Sequence, residues 1–328
     1  MCLDGWPAGG GDGSSVQVDY ILANPKAVHS IRRFVDEDLN RQYSSERLED
    51  DTLGSYEANR AKVLDRRIGP KASEFPAADF VIDMHSTTSK MGITIIFESE
   101  GVDPVALYVA EFVRRALAKE EGMAPVFILF ADIPRDTIPH TPSVSRSGVA
   151  IEVGPIAQGL LRDDVCRWTE AAAGAIMDAL LALNTDGVDA SVFGSSVRVF
   201  QNSRVKIPCP SDESGLPTAV FHERLQDGDY RPLRKGDPMF RGLDGSVIPY
   251  DGRLGEVVFP VFVNEAAYYL PESGLGFALS HVATLPMITM RCREGGVGRV
   301  SLPSPPPDDA EAAAAAVEAS PDPWVKSS

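Results

Sequence analysis

The sequence predicts an α/β protein: a mixed, mostly parallel sheet flanked by helices, followed by a smaller, mainly β C-terminal domain. Three observations carry this. Between residues 16 and 183, apolar strand-like runs alternate with helical patterns, as in a parallel-sheet layer. Two of those runs, 80–85 and 148–153, have the continuous apolar character of buried strands. After Asn184 the helical patterns give way to short strand candidates punctuated by Gly242, Asp251-Gly252 and several prolines. The expected organisation is a flexible, glycine-rich segment at 1–15, an α/β domain at 16–190, a β-rich domain at 191–293 and a disordered Pro/Ala-rich tail at 294–328.

The elements follow in order. Residues 16–22 alternate enough to suggest a strand that Asn24-Pro25 ends. Residues 34–41 form a loop crowded with carboxylates, with Arg32 and Arg33 before it and Asn40-Arg41 at its end. Residues 56–68 are helical by composition and stop at Gly69-Pro70. Residues 80–85 and 92–97 are strands, the second rich in β-branched residues. Asp103-Pro104 opens a helix, Asp as cap and Pro in the first turn, with Ala106, Ala110, Val113 and Leu117 on its apolar face and Gly122 ending it. Residues 126–130 and 148–153 are further strands. A long helix reaches Leu183, with Asp163 and Asp164 suiting its dipole. The β-rich part offers strands at 197–200, 205–207, 219–221, 247–250, 256–263 and 285–289.

Composition narrows the function classes. A net charge of −16 argues against nucleic acid or an anionic membrane as partner. It leaves room for an anionic substrate, since local arginines can dominate a site. The four cysteines (Cys2, Cys166, Cys209, Cys292) form no CxxC pair, which suits a reducing compartment. Asp4, Gly5 and Pro7 interrupt the start where a signal peptide needs an apolar run, so a soluble, cytoplasmic protein is expected.

Two stretches carry chemistry. In Phe80-Val81-Ile82-Asp83-Met84-His85-Ser86-Thr87-Thr88 a buried strand turns polar at its carboxyl end, where α/β proteins bind ligands. Asp83 and His85, two apart, share one strand face, so the carboxylate can orient the imidazole. His85 then reads either as a metal ligand or as a structural histidine capping the next turn. Glu152 stands in the apolar run Ile151-Glu152-Val153-Gly154-Pro155. A carboxylate there is costly unless paired or functional, so it reads either as half of a buried ion pair or as a general base.

Taken together, the motifs resemble the aspartoacylase/aminoacylase-3 branch of the succinylglutamate desuccinylase/aspartoacylase family, relatives of the zinc carboxypeptidases. The matching stretches are Asn24-Pro25-Lys26-Ala27-Val28, Asp38-Leu39-Asn40-Arg41, Gly69-Pro70-Lys71 and the run from Asp83 to Gly92. They continue with Ile151 to Pro155, Gln158 to Arg162, Gly236 to Phe240, and Phe259 to Tyr269. The resemblance implies a zinc-carboxypeptidase-like fold and one Zn2+ per chain. It implies hydrolysis of an N-acyl amino acid, N-acetylaspartate or an N-acetylated aromatic or cysteine conjugate, to a carboxylate and a free amino acid. By the same resemblance His85 is a zinc ligand with Asp83 orienting it, and Glu152 is the general base. Arg33, Asn40, Arg41 and Tyr268 line the substrate pocket, Glu265 braces its loop, and a homodimer is the default assembly.

The sequence departs from the family in one central respect. The family's His-x-x-Glu motif supplies two of three protein ligands, and none of the five histidines here has a glutamate three residues on. The expectation is therefore a catalytic domain that lacks its beginning, with this chain inactive as given. The alternative is a non-catalytic relative acting as a binding or interaction protein. Should the chain hold zinc, His140 and the carboxylates of residues 36–38 are the first candidates for further ligands. Arg146 is offset by four residues from the family's carboxylate-binding arginine near Pro142.

Overall fold

The computed structural model describes residues 16–186, 194–269, 274–293 and 296–298. The expected flexible start at 1–15, and the expected tail except 296–298, lie outside the described residues. The first half runs α1 (Pro25–His29), α2 (Ser45–Glu49), α3 (Tyr56–Ile68), β1 (Phe80–Ser86), β2 (Gly92–Ser99), α4 (Pro104–Leu117), β3 (Val126–Asp132), β4 (Ser147–Gly154) and α5 (Asp163–Asp186). The second half is β5 (Ser196–Pro208), β6 (Ala219–Phe221), β7 (Leu233–Arg234), β8 (Pro238–Gly242), β9 (Val247–Pro249), β10 (Val257–Val261), β11 (Leu275–Pro286), β12 (Arg291–Arg293) and β13 (Gly296–Gly298).

One eight-stranded sheet in the order β1-β4-β2-β3-β5-β11-β10-β7 spans both halves. β1 runs parallel to β4, β2 to β3 and β3 to β5, whereas β2 and β4 are antiparallel. From β5 onward the pairings are antiparallel. A three-stranded sheet, β6-β8-β9, packs beside this end. The halves are therefore hydrogen-bonded to each other, with Leu129 opposite Phe200 and Phe130 opposite Gln201.

Helices α4 and α5 cover one face. Ile93, Ile95, Phe97, Val149, Ile151 and Val153 bury against them, and Phe80 and Ile82 pack at the edge of the same core. Side chains alternate across a strand, so Asp83, His85, Thr94 and Glu152 lie on the opposite face. Asp103 caps α4 as expected, its carboxylate accepting from Val105 N and Ala106 N.

Three expectations need correction. Residues 16–22 form no strand. Among the described residues they join no sheet, and the carbonyls of Leu22 and Ala23 accept from Arg60. The candidates 197–200 and 205–207 are one strand, β5. Residues 275–286 form one long strand, β11, which the expected strand at 285–289 overlaps only in its last two residues. Gly276 and Ser280 disguised it; a Cβ at Gly276 would meet the Phe240 ring at 3.1 Å and Ile207 O at 3.3 Å.

Candidate active site

The site forms at the carboxyl ends of β1 and β4. His85 and Glu152 are register partners on these adjacent parallel strands, so both side chains rise from the same face. His85 Nε2 lies 2.9 Å from Asp83 Oδ2 and 3.1 Å from Asn40 Nδ2. Burial lowers the imidazole pKa, but the Asp83 carboxylate outweighs this and brings it up to about 9. Burial opposes charge on Asp83 too, yet His85 holds its carboxyl below the usual range. Burial dominates at Glu152, pushing its carboxyl up to about 7; Glu152 Oε2 is buried and has no hydrogen-bond partner among the described residues. Such a carboxyl can both accept and return a proton near neutrality.

The loop before α2 supplies one wall. Asn40 Oδ1 accepts from Thr141 N at 2.9 Å and Thr141 Oγ1 at 3.0 Å, which aims its Nδ2 at His85. Arg33 forks onto Asp38 Oδ2 through Nε (3.1 Å) and Nη2 (2.9 Å), and its charge also bears on Glu152 and Glu265. Arg41 donates to Asn40 O at 2.7 Å and acts electrostatically on Glu98 and Tyr268.

This loop is organised by Glu57, fully buried on α3. Its carboxylate accepts from Val35 N (2.6 Å), Asp36 N (3.0 Å), Glu37 N (3.2 Å) and Asn24 Nδ2 (3.0 Å). Sequence reading missed it, because its partners lie some twenty or more residues away. Lys71 closes the Gly69-Pro70-Lys71 stretch, and its sequence neighbours give it no role. Its buried Nζ ties Tyr43 O, Ile138 O and Ser143 Oγ together, fixing the segment that carries Thr141.

The opposite wall comes from the end of β10. Glu265 accepts from Thr87 Oγ1, Thr88 N and Thr88 Oγ1, so it braces the loop onto the end of β1. Tyr268 is held within the fields of Arg41, Glu265 and Glu152, and burial raises its phenol pKa. At Gly154 a Cβ would meet Thr87 O at 2.4 Å and Ser89 O at 2.6 Å, so only glycine lets β4 end against the turn that follows β1.

The sequence-predicted residues thus converge, with one exception. Arg146 pairs with Asp79 at 3.8 Å and lies over Phe75, at the far end of β1 from His85.

The residues described do not fit a complete zinc site. Catalytic zinc normally has three protein ligands, and among the described residues no group of three His, Cys, Asp or Glu side chains could hold a metal ion. The first candidates for further ligands are already engaged. His140 Nδ1 pairs with Glu98, Asp36 accepts from Tyr56 N, Glu37 pairs with Arg47, and Asp38 holds Arg33.

Residues 11–180 match the family described as the succinylglutamate desuccinylase/aspartoacylase catalytic domain, and residues 195–281 the AstE/AspA barrel-sandwich hybrid domain. A Xenopus tropicalis N-acyl-aromatic-L-amino acid amidohydrolase (carboxylate-forming) is 38% identical over 78% of this chain and 79% of its own. A Xenopus tropicalis aspartoacylase is 35% identical over 85% of each chain. The crystal structure of murine aminoacylase 3 superposes with a TM-score of 0.68 at 31% identity, covering 81% of this chain and 84% of that one.

Proposed function

This chain belongs to the succinylglutamate desuccinylase/aspartoacylase family, and we propose that its cleft is laid out for hydrolysis of the amide bond of an N-acyl amino acid to a carboxylate and a free amino acid, a reaction that needs a completed zinc site. The observation that carries this reading is the pairing of His85 with Glu152 on one face, walled by Arg33, Asn40, Arg41 and Tyr268. Amide hydrolysis needs a base for the attacking water and an acid for the departing amine. Glu152, with a pKa of about 7, can serve as both in turn. Arg33 and Arg41 bring guanidinium groups that suit a substrate carboxylate. Asn40, locked by Thr141, lies against the His85 ring, and Tyr268 lies within electrostatic reach of Arg41 and Glu152.

Zinc is the Lewis acid that such chemistry calls for. His85 is the residue that would bind it here, and the described residues do not complete its ligand set. We therefore propose that the 328-residue chain holds no stoichiometric zinc and is inactive as given. That same incompleteness favours a second reading, a relative that binds acyl amino acids without turning them over.

Elemental analysis after dialysis, with assays of N-acetyl-L-aspartate and N-acetyl-L-tyrosine, tests both. Zinc well below one per chain, no hydrolysis and measurable binding of either ligand is the expected result. One zinc per chain with chelator-sensitive hydrolysis refutes the inactivity. Binding of neither ligand removes the functional reading altogether.

A further inference from the structure

The loop that carries Tyr268 does not adopt a relaxed backbone. Phe262 and Asn264 both have left-handed φ, 57° and 58°, although neither is glycine. Phe262 is large and gains nothing from that region by itself. Its ring packs against Tyr268, with centroids 6.0 Å apart. The conformation of this turn is thus transmitted directly to Tyr268.

Something must hold the turn, and Asp229 lies against it. Asp229 is 3% exposed, and its Oδ1 accepts from Val263 N, between the two left-handed residues, at 2.9 Å. Its Oδ2 is buried, and the backbone N–H groups of Lys90 and of Asp229 itself also bear on the carboxylate. A carboxyl buried there destabilises a fold by itself. Its presence is explained by what the paired oxygen holds. Asp229 is anchored in turn by Tyr230, whose ring stacks on Phe127 at 4.2 Å, whose hydroxyl meets Thr94 Oγ1 at 3.1 Å and whose N–H donates to Pro260 O. Thr94 is the register partner of Glu152.

We infer that Asp229 is a positioning residue: its side chain locks the left-handed turn at 262–264 and so sets Phe262, Tyr268 and Glu265 against the cleft. Tyr268's contact with substrate rests on the functional reading above; the locking of the turn does not. Polar clasps on the outer side complete the arrangement. Asn264 Nδ2 donates to Gln226 Oε1, and Tyr269 Oη–H donates to Asn264 Oδ1. Both are exposed, so water can replace them, whereas nothing replaces a buried acceptor.

Hydrogen–deuterium exchange on the whole chain, with Asp229→Ala and Asp229→Asn, tests this. Asn keeps an acceptor for Val263 N. The expected result is exchange over 262–268 faster by about tenfold or more in D229A, with β2 and β4 unchanged and D229N within about twofold of wild type. Should D229A fail to fold, D229S, whose hydroxyl stops short of Val263, replaces it. Unchanged exchange at 262–268, equal acceleration throughout the core, or D229N behaving as D229A overturns the inference. Binding of N-acetyl-L-aspartate and N-acetyl-L-tyrosine is measured on the same proteins. Weakened binding in D229A alone supports the placement of Tyr268, and unaltered binding overturns that placement. If wild type binds neither ligand, the functional reading fails and exchange alone decides the turn.

Discussion

Glu57 shows how one residue shapes a wall of the cleft. A buried carboxylate is normally destabilising, but four donors converge on this one, three of them consecutive backbone N–H groups. Burial raises its pKa, and those donors outweigh burial, leaving the carboxyl below its usual range. A carboxyl depressed on folding contributes stability that is present above the unfolded pKa and lost as pH falls through the folded one. Glu57→Gln keeps the shape, removes the charge and turns one acceptor into a donor facing backbone N–H groups. It should cost about 2–3 kcal/mol at pH 7, measured by urea denaturation. The deficit should shrink as pH falls below about 4.5, where the wild-type carboxylate loses its own advantage. A deficit that does not change with pH would mean that charge is not what the four donors recognise.

At the level of elements, the strands place the chemistry and the helices stabilise them. α4 presents Ala106, Leu107, Val109, Ala110 and Val113 fully buried, and its start is fixed by Asp103, which accepts from two N–H groups of the first turn. Asp103→Ala should destabilise the protein by about 1 kcal/mol, the usual value of an N-cap. Because α4 packs on the face opposite His85 and Glu152, ligand binding should be unaltered. A thermal melt read beside an N-acetyl amino acid titration checks both halves. The loop after β10 behaves differently, since its backbone is held by the side chains of Thr88, just past β1, and of Asp229 rather than by a ladder.

Across the whole molecule, the sheet makes one cooperative body of two compositionally different halves. β5 pairs with β3 on one side and β11 on the other. At that seam Phe200 contacts Phe127, Tyr230 and Phe259, with ring centroids 6.1, 4.6 and 5.5 Å away. Calorimetry should therefore give a single transition despite the change of character near Asn184. Phe200→Ala should cost up to about 3 kcal/mol, the low end of the range for a large buried aromatic, because Phe200 is only partly buried. Two resolved transitions in wild type would mean that the halves unfold independently. Among the described residues no helix is long and apolar enough to cross a membrane.

The sequence by itself determined the elements whose signals are local. The strands at β1, β2, β3 and β4 carry continuous apolar runs, and α4 and α5 announce themselves by caps, first-turn acids and 3.6-residue periodicity. The pairing of Asp83 with His85 was also legible, because two residues apart on a strand means the same face. Tertiary structure alone decided the rest. β11 hid behind Gly276, whose missing side chain makes sense only once Phe240 packs over it from another sheet. Residues 16–22 have the alternation of a strand, yet among the described residues they join no sheet, and sheet pairing is not a property of the segment itself. The grip of Glu57 on residues 35–37, of Lys71 on residues 43, 138 and 143, and of Asp229 on Val263 joins positions 20 to 72 residues apart. Each is a buried polar group whose cost is offset by donors or acceptors that only the folded chain delivers, which local pattern cannot reveal.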